Sequence, residues 1–273
     1  MGISNDRSDV ASSPPARLRQ SIRQGHLAGP TYALAAGYVQ CNIAVVPTQF
    51  ADAFARFCEL NTRACPLLTR GTPGDPSLPA LGDDIDVRSD LSAYCVLRDG
   101  SVEDTVSDIG DLWQDDFVTF AFGCSFSFDE ALRREGVKLR YLNRGDGPAL
   151  YFTNIDAIPV EPFAGKLAVS MRPLRPADAI TAIHVTAAYP QLHGQPIHIG
   201  LPALIGIDDL DRPEHSLGGT RVLADELPVF WACGMTAQLA LERARLPIAI
   251  THASAHMLIT DLRLEDLRKR QSR

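Results

Sequence analysis

A cysteine set between glycine and serine at the start of a helix is the first arrangement here that could do chemistry. Residues 117–130 read Phe-Val-Thr-Phe-Ala-Phe-Gly-Cys-Ser-Phe-Ser-Phe-Asp-Glu. An apolar run meets Gly123-Cys124-Ser125, which predicts a strand, a tight turn and a helix opening at Ser127. Ser127 and Glu130 have the spacing of a capping box, in which each side chain satisfies an orphan amide. A helix start directs unpaired N–H groups and a positive pole outward, favouring bound carboxylate or phosphate and the thiolate of a nearby cysteine. Residues 228–238, Pro-Val-Phe-Trp-Ala-Cys-Gly-Met-Thr-Ala-Gln, repeat the pattern through Cys233-Gly234, with Thr236 as the expected cap. Two such units predict two helix ends on one cleft. Taken singly, each unit is equally an ordinary piece of α/β core.

Imidazoles and one guanidinium supply the remaining candidates. His193 and His198 bracket Gly194-Gln195-Pro196-Ile197 and can converge only if the loop turns back. The spacing is a weak metal signal, so no metal is assigned, and proton transfer is the chemistry an imidazole offers near neutrality. The other reading is a pair of loop histidines bonded to backbone. His252 and His256 follow an apolar strand, Ile248 to Ile250, at the sheet edge where open α/β folds place ligands. Arg172, delivered from a strand end, would grip a carboxylate in bidentate fashion or serve as a surface ion pair. Gln40 and Asn42 share one strand face, unusual for two amides unless they reach something polar. Asp84, Asp86 and Arg88 read as a solvated loop.

The elements that must position these groups alternate between strand and helix. Helices are predicted from Ala16 to Gly25, from Thr48 to Leu60 with Phe50, Phe54 and Phe57 inward, and from Ala177 to Ala188. Strands are predicted over 38–46, 137–142, 150–155 and 166–171, a loop over 66–84, and a type I′ hairpin turn at Asp99-Gly100. This gives an α/β fold of two lobes, a mixed sheet with flanking helices plus a smaller strand-rich α+β lobe within about 125–215. Residues 1–15 read as a disordered tail, and 16–273 as one catalytic unit of two intertwined lobes.

Composition narrows the partners. Among 273 residues the net charge is −7, and no basic stripe exists beyond Arg268-Lys269-Arg270, which argues against nucleic acid. No apolar run approaches the ~20 residues that span a bilayer, and the first residues lack a signal-peptide core. The six cysteines form no CxxC pair or dense framework, which fits free thiols in the cytoplasm. No GxGxxG, Walker loop or GxSxG elbow is present. The inventory supports acid–base chemistry on a small carboxylate without a cofactor. A homodimer is left open.

Five segments then carry a family resemblance: Gly123-Cys-Ser-Phe-Ser-Phe128, Val169-Ser-Met-Arg-Pro173, His193-Gly-Gln-Pro-Ile-His-Ile-Gly200, Pro228-Val-Phe-Trp-Ala-Cys-Gly234 and His256-Met-Leu-Ile-Thr-Asp261. Their order resembles that in a bacterial family of putative hydro-lyases to which D-glutamate cyclase is related, and the likeness runs from about Arg17 to Asp261. It implies a two-lobed α/β fold and loss of water from a small amino or hydroxy acid, as when D-glutamate closes to 5-oxo-D-proline. Under it Arg172 and the amides near Ser125, Ser127 and Thr236 hold carboxylates, and His193 or His198 moves the proton. Cys124 forms an acyl thioester or, as favoured here, only lines the pocket. Asn42, His252 and His256 complete the expected substrate contacts. Phe152 stands where the family commonly has a basic residue, Leu201 where it has an acidic one, and Ala255 where it has glycine. A non-catalytic carboxylate binder and a metal-dependent hydrolase using the four histidines are the alternative functions.

Overall fold

The structure is a computed structural model that describes residues 13–32, 34–142, 147–216, 218–219 and 221–270. The tail expected over residues 1–15 lies outside these except for its last three residues.

Ten residues at the centre of the larger sheet organise the molecule. Strand β1 (Tyr38–Pro47) is buried along nearly its whole length. Its periodicity is that of a strand covered on both faces, so apolar residues run without alternation. Helix α1 (Pro15–Arg23) precedes it and α2 (Thr48–Leu60) follows, α2 opening directly after Pro47. Then come β2 (Leu67–Arg70), β3 (Tyr94–Arg98), β4 (Ser101–Val106) and β5 (Phe117–Gly123). Strands β11 (Ala249–His252) and β12 (Leu258–Arg263) return from the chain's far end, and α6 (Leu264–Arg270) closes it. Order across the sheet is β2-β5-β1-β11-β3-β4, with β12 also on β1. All of these pairings are antiparallel.

The smaller sheet takes β6 (Gly147–Asp156), β7 (Lys166–Leu174), β8 (His198–Ile199), β9 (Gly218–Gly219) and β10 (Leu227–Ala232) in the order β8-β10-β7-β6-β9. Only β6 with β9 is parallel. Helix α3 (Phe126–Arg134) leaves the larger sheet from β5, α4 (Pro176–Ala187) follows β7, and α5 (Met235–Ala244) leaves the smaller sheet from β10. The two-lobed α/β expectation is met.

Local chemistry explains most element ends. Asp99 and Gly100 carry φ of 48° and 83°, the pair of positive values that a type I′ turn requires. In α2, Phe54 and Phe57 are buried; Phe54 meets Phe120 edge-on with ring centroids 5.0 Å apart and packs on Phe163 at the same distance. Burying such a ring contributes ~2 kcal/mol or more. Phe50 is only partly buried.

Two expectations fail here. Residues 137–142 form no strand; Val137, Leu139 and Tyr141 are buried individually from an irregular segment. Apolar alternation alone could not distinguish this from a strand, because a strand also needs a partner and among the described residues none pairs with it. Within 66–84, Leu67–Arg70 does pair, antiparallel to β5. Among the described residues no helix is long and apolar enough to cross a membrane.

Candidate functional site

Both strand-turn-helix units end on the same small cavity, one from each sheet. Its lining includes Cys124, Ser125 and Phe126 from the first unit and Cys233 and Met235 from the second, with Asn42 and His252 between them. The glycines at the turns are required by close approach rather than by φ. A Cβ on Gly123 would collide with the Gln191 carbonyl oxygen, and one on Gly234 would lie 2.5 Å from Asn42 Nδ2. Asn42 in turn donates to the Gly123 carbonyl at 3.0 Å, so one amide ties the two turns together.

The expected caps are not formed. Helix α3 starts at Phe126, one residue before Ser127, and among the described residues no side chain caps it. Ser127 Oγ instead accepts from the Gln40 amide at 2.9 Å, while Glu130 pairs with Arg133 and Arg134. Helix α5 starts at Met235, uncapped by a side chain, and Thr236 Oγ1 accepts from the Ala168 amide at 3.0 Å. Each hydroxyl satisfies a strand amide, which pins the helix start to β1 or β7. Gln40 itself bonds Thr31 and Leu34, which is where its amide goes.

The thiols are not poised as thiolates. Burial pushes Cys124 up to about 12, opposed by the Phe126 amide and the Arg172 charge. Burial likewise pushes Cys233 up to about 11, opposed by the Met235 amide and Arg172. Desolvation outweighs the helix start because a charge in this closed space loses its hydration. Both are protonated at neutral pH.

His252 is the imidazole that lines the cavity. Strand β1 pairs with β12 up to Cys41 and with β11 from Ala44. The partner strands diverge at 42–43, which leaves the Ile43 amide and carbonyl to be met by something else. His252 Nδ1 lies 3.3 Å from both. Either tautomer is therefore satisfied at Nδ1, leaving Nε2 as base or as donor toward the cavity. Burial pushes its pKa down to about 4, so the ring is neutral near pH 7.

Arg172 is placed differently from the expected substrate clamp. It is fully buried, donating from Nε to Asp129 at 2.8 Å and Tyr141 Oη at 3.1 Å, and from Nη1 to Ser170 at 3.1 Å. Nη2 reaches the Ser125 carbonyl and hydroxyl at 3.3 Å. Its guanidinium lies 4.8 Å from the Phe128 ring centre and 5.2 Å from that of Trp231. Burial works against its charge, but Asp129 and Tyr141 outweigh it and raise its pKa. The fork thus joins β7 to the start of α3 and positions Ser125.

The histidines of 193–198 do not share a site. His193 is buried, its Nδ1 2.8 Å from the Arg63 carbonyl, with burial holding its pKa at about 4. His198 Nε2 lies 2.8 Å from the Leu201 carbonyl on the edge of the smaller sheet. His256 meets Ser92 Oγ at 3.0 Å. Of the ten expected residues, Asn42, Cys124, Ser125 and His252 line the cavity; Ser127, Arg172 and Thr236 brace its walls, and His193 packs behind Gly123. Among the described residues no three His, Cys, Asp or Glu side chains are grouped to hold a metal ion.

Asp129, Tyr141 and Ser254 carry no local signal of a site in the sequence; Asp129 is masked there by its neighbour Glu130, which has the spacing of a capping box. Ser254 Oγ is buried with no hydrogen-bond partner among the described residues, and the residue lines the cavity. Ala255 also lines it, with a φ of 67°, a left-handed conformation in which the glycine common at this position in the resembling family is at ease. Leu201 is 71% exposed, so that departure sits on the surface, whereas Phe152 packs against the cluster holding Met235.

Comparison with known proteins adds the family. A family model described as D-glutamate cyclase matches residues 118–261, a stretch that contains both strand-turn-helix units. A protein of Rhizobium johnstonii named "Putative hydro-lyase" is 49% identical over 96% of this chain and 97% of its own. One of the same name from Paraburkholderia phytofirmans is 50% identical over 92% of this chain and 96% of its own. Among solved structures, a nitrogen repressor-like protein of Methanococcus jannaschii covers 86% of this chain and 91% of its own at 12% identity, with a TM-score of 0.39.

Proposed function

The chain belongs to the D-glutamate cyclase family, and from that membership we propose that it is a cofactor-independent hydro-lyase that closes D-glutamate to 5-oxo-D-proline. The observation that carries this reading is the meeting of two uncapped helix starts and a neutral, two-tautomer imidazole on one cavity.

The chemistry asks for these parts. The α-amine nitrogen must bond to the γ-carboxyl carbon while one γ-oxygen departs as water. An ammonium supplies both protons that the oxygen carries away, so no net proton enters or leaves. His252 Nε2 takes a proton from the amine and returns it to the departing oxygen, with Nδ1 supported by Ile43 in either tautomer. Such positioned proton transfer contributes typically ~10²–10⁴-fold. Helix-start amides near Ser125 and Met235 meet the negative charge that develops on the carboxyl oxygens. Asn42 and Ser254 supply neutral hydrogen bonds, and Cys124 lines the wall as a thiol.

The test is incubation with D-glutamate and chromatographic detection of 5-oxoproline, beside a thermal-shift screen of small carboxylic acids. Turnover that falls at least ~100-fold in His252→Gln supports the reading. Binding of D-glutamate without product favours the non-catalytic carboxylate binder instead, and neither binding nor product overturns both.

A further inference from the structure

The inner cavity has a volume of about 20 Å³, room for a water-sized molecule but not for an amino acid. A larger pocket of about 190 Å³ lies beside it, lined among others by Tyr32, Tyr38, Gln40, Asp129 and Arg133. The two hollows share one lining residue, Phe126. It is the first residue of α3, it is only partly buried, and its ring meets that of Tyr32 with centroids 6.1 Å apart and planes 67° apart. Its neighbours are fixed much more firmly. Ser125 is held by Arg172, Ser127 by β1 and Phe128 is fully buried. The backbone on both sides is thus anchored while the Phe126 ring is held by an edge-on aromatic contact, worth ~0.5–1.5 kcal/mol beyond area burial.

We propose that Phe126 is the gate between an outer docking pocket and the inner reaction cavity, and that its ring sets the size of substrate that reaches His252. This rests on the proposed reaction at the same cavity. An amino acid docks beside Tyr32 and Tyr38, and rotation of the Phe126 side chain joins the two volumes. Rotation away from Tyr32 breaks no hydrogen bond, so the gate opens without disturbing the α3 start. With the ring turned aside the substrate spans the joined volumes, and its own body fills the opening and keeps water from the reacting groups.

The thiols give a readout that requires no turnover. Cys124, buried, and Cys233, partly exposed, line the inner cavity, whereas Cys41, Cys58 and Cys65 are buried and do not line it. Iodoacetamide labelling of the native full chain, followed residue by residue by mass spectrometry, compares wild type with Phe126→Ala and Phe126→Trp. Opening the gate is expected to speed labelling of Cys124 by ~10-fold or more in Phe126→Ala while Cys41, Cys58 and Cys65 stay slow, because thiol reactivity follows access. Phe126→Trp is expected to slow labelling of Cys124. Equal acceleration of these four thiols, or no acceleration at Cys124, overturns the gate, as does unchanged Cys124 labelling in Phe126→Trp. If D-glutamate is not turned over while the labelling pattern holds, the proposed reaction fails and the gate stands. If labelling loses its selectivity while turnover persists, the gate fails and the reaction stands.

Discussion

Asp129→Asn is a demanding test of how the site is braced. The substitution keeps shape and a hydrogen-bond acceptor but removes the formal negative charge bonded to Arg172. Arg172 is fully buried, and its other partners, Tyr141, Ser170 and Ser125, are neutral. At 2.8 Å the gross attraction is ~6 kcal/mol for an effective dielectric constant of about 20. Much of that offsets desolvation, but removing one partner leaves the other charge buried alone, which costs ~3–5 kcal/mol. The Phe128 and Trp231 faces retain part of the guanidinium's stabilisation, so the lower end is expected. Against a total of ~5–15 kcal/mol this is large, equivalent to a drop of roughly 6–12 °C in melting temperature. The assay is urea and thermal unfolding of wild type, Asp129→Asn, Arg172→Met and the double variant. The double variant should be less destabilised than the sum of the singles by ~2 kcal/mol or more. A single Asp129→Asn cost below ~1 kcal/mol, or strict additivity, would refute the brace, since those are the values of an exposed pair.

Other expectations follow from the same geometry. His193 and His252 have folded pKa values lowered to about 4, so their contribution is fully present above the unfolded value near 6.5 and is lost as pH falls through 4. Each adds a slope of ~1.4 kcal/mol per pH unit within that window; unfolding in urea at pH 4.5 and 7 should show it, and His252→Gln should remove one such contribution. Gly234→Ala puts a methyl group against the Asn42 amide and should cost ~1–3 kcal/mol by overpacking, read as a lower urea midpoint. Ala255→Gly should raise stability by up to ~1 kcal/mol by relieving a left-handed alanine, measured by the same midpoint.

Local signals in the chain were readable where one force decides. The α2 helix, the Asp99-Gly100 turn and β1 follow from Phe spacing, from positive φ and from a β-branched, mostly apolar run closed by Pro47. The two strand-turn-helix units were legible for the same reason, and the structure does bring them to one cavity. What the sequence could not reveal is where each polar side chain spends its hydrogen bonds. Ser127 and Thr236 have the spacing of caps, yet each satisfies a strand amide from a distant element. Arg172 has the composition of a carboxylate clamp, yet its carboxylate is Asp129, which sits 43 residues away in the chain. The role of His252 depends on β11 and β12 parting over Ile43, a tertiary event with no local signature. His198 fails because its loop does not fold back onto His193.

The charge state of the finished site bears on direction as well as mechanism. Cys124 and Cys233 are protonated, His252 is neutral, and Arg172 is cancelled by Asp129. A zwitterion brought into this enclosure loses hydration at every charged end, and the helix starts replace it only for carboxylate. Cyclisation of glutamate consumes one ammonium and one carboxylate together, turning them into a neutral amide and water. The ends that such a cavity destabilises are therefore the ones the proposed reaction removes, while the α-carboxylate, which survives, is the group the helix amides can hold. An amino acid with a single carboxylate could be held in the same way but has no second carboxyl for the amine to attack. It should bind without turnover, and a single-carboxylate analogue of D-glutamate that competes with it while forming no product is the observation this reasoning requires.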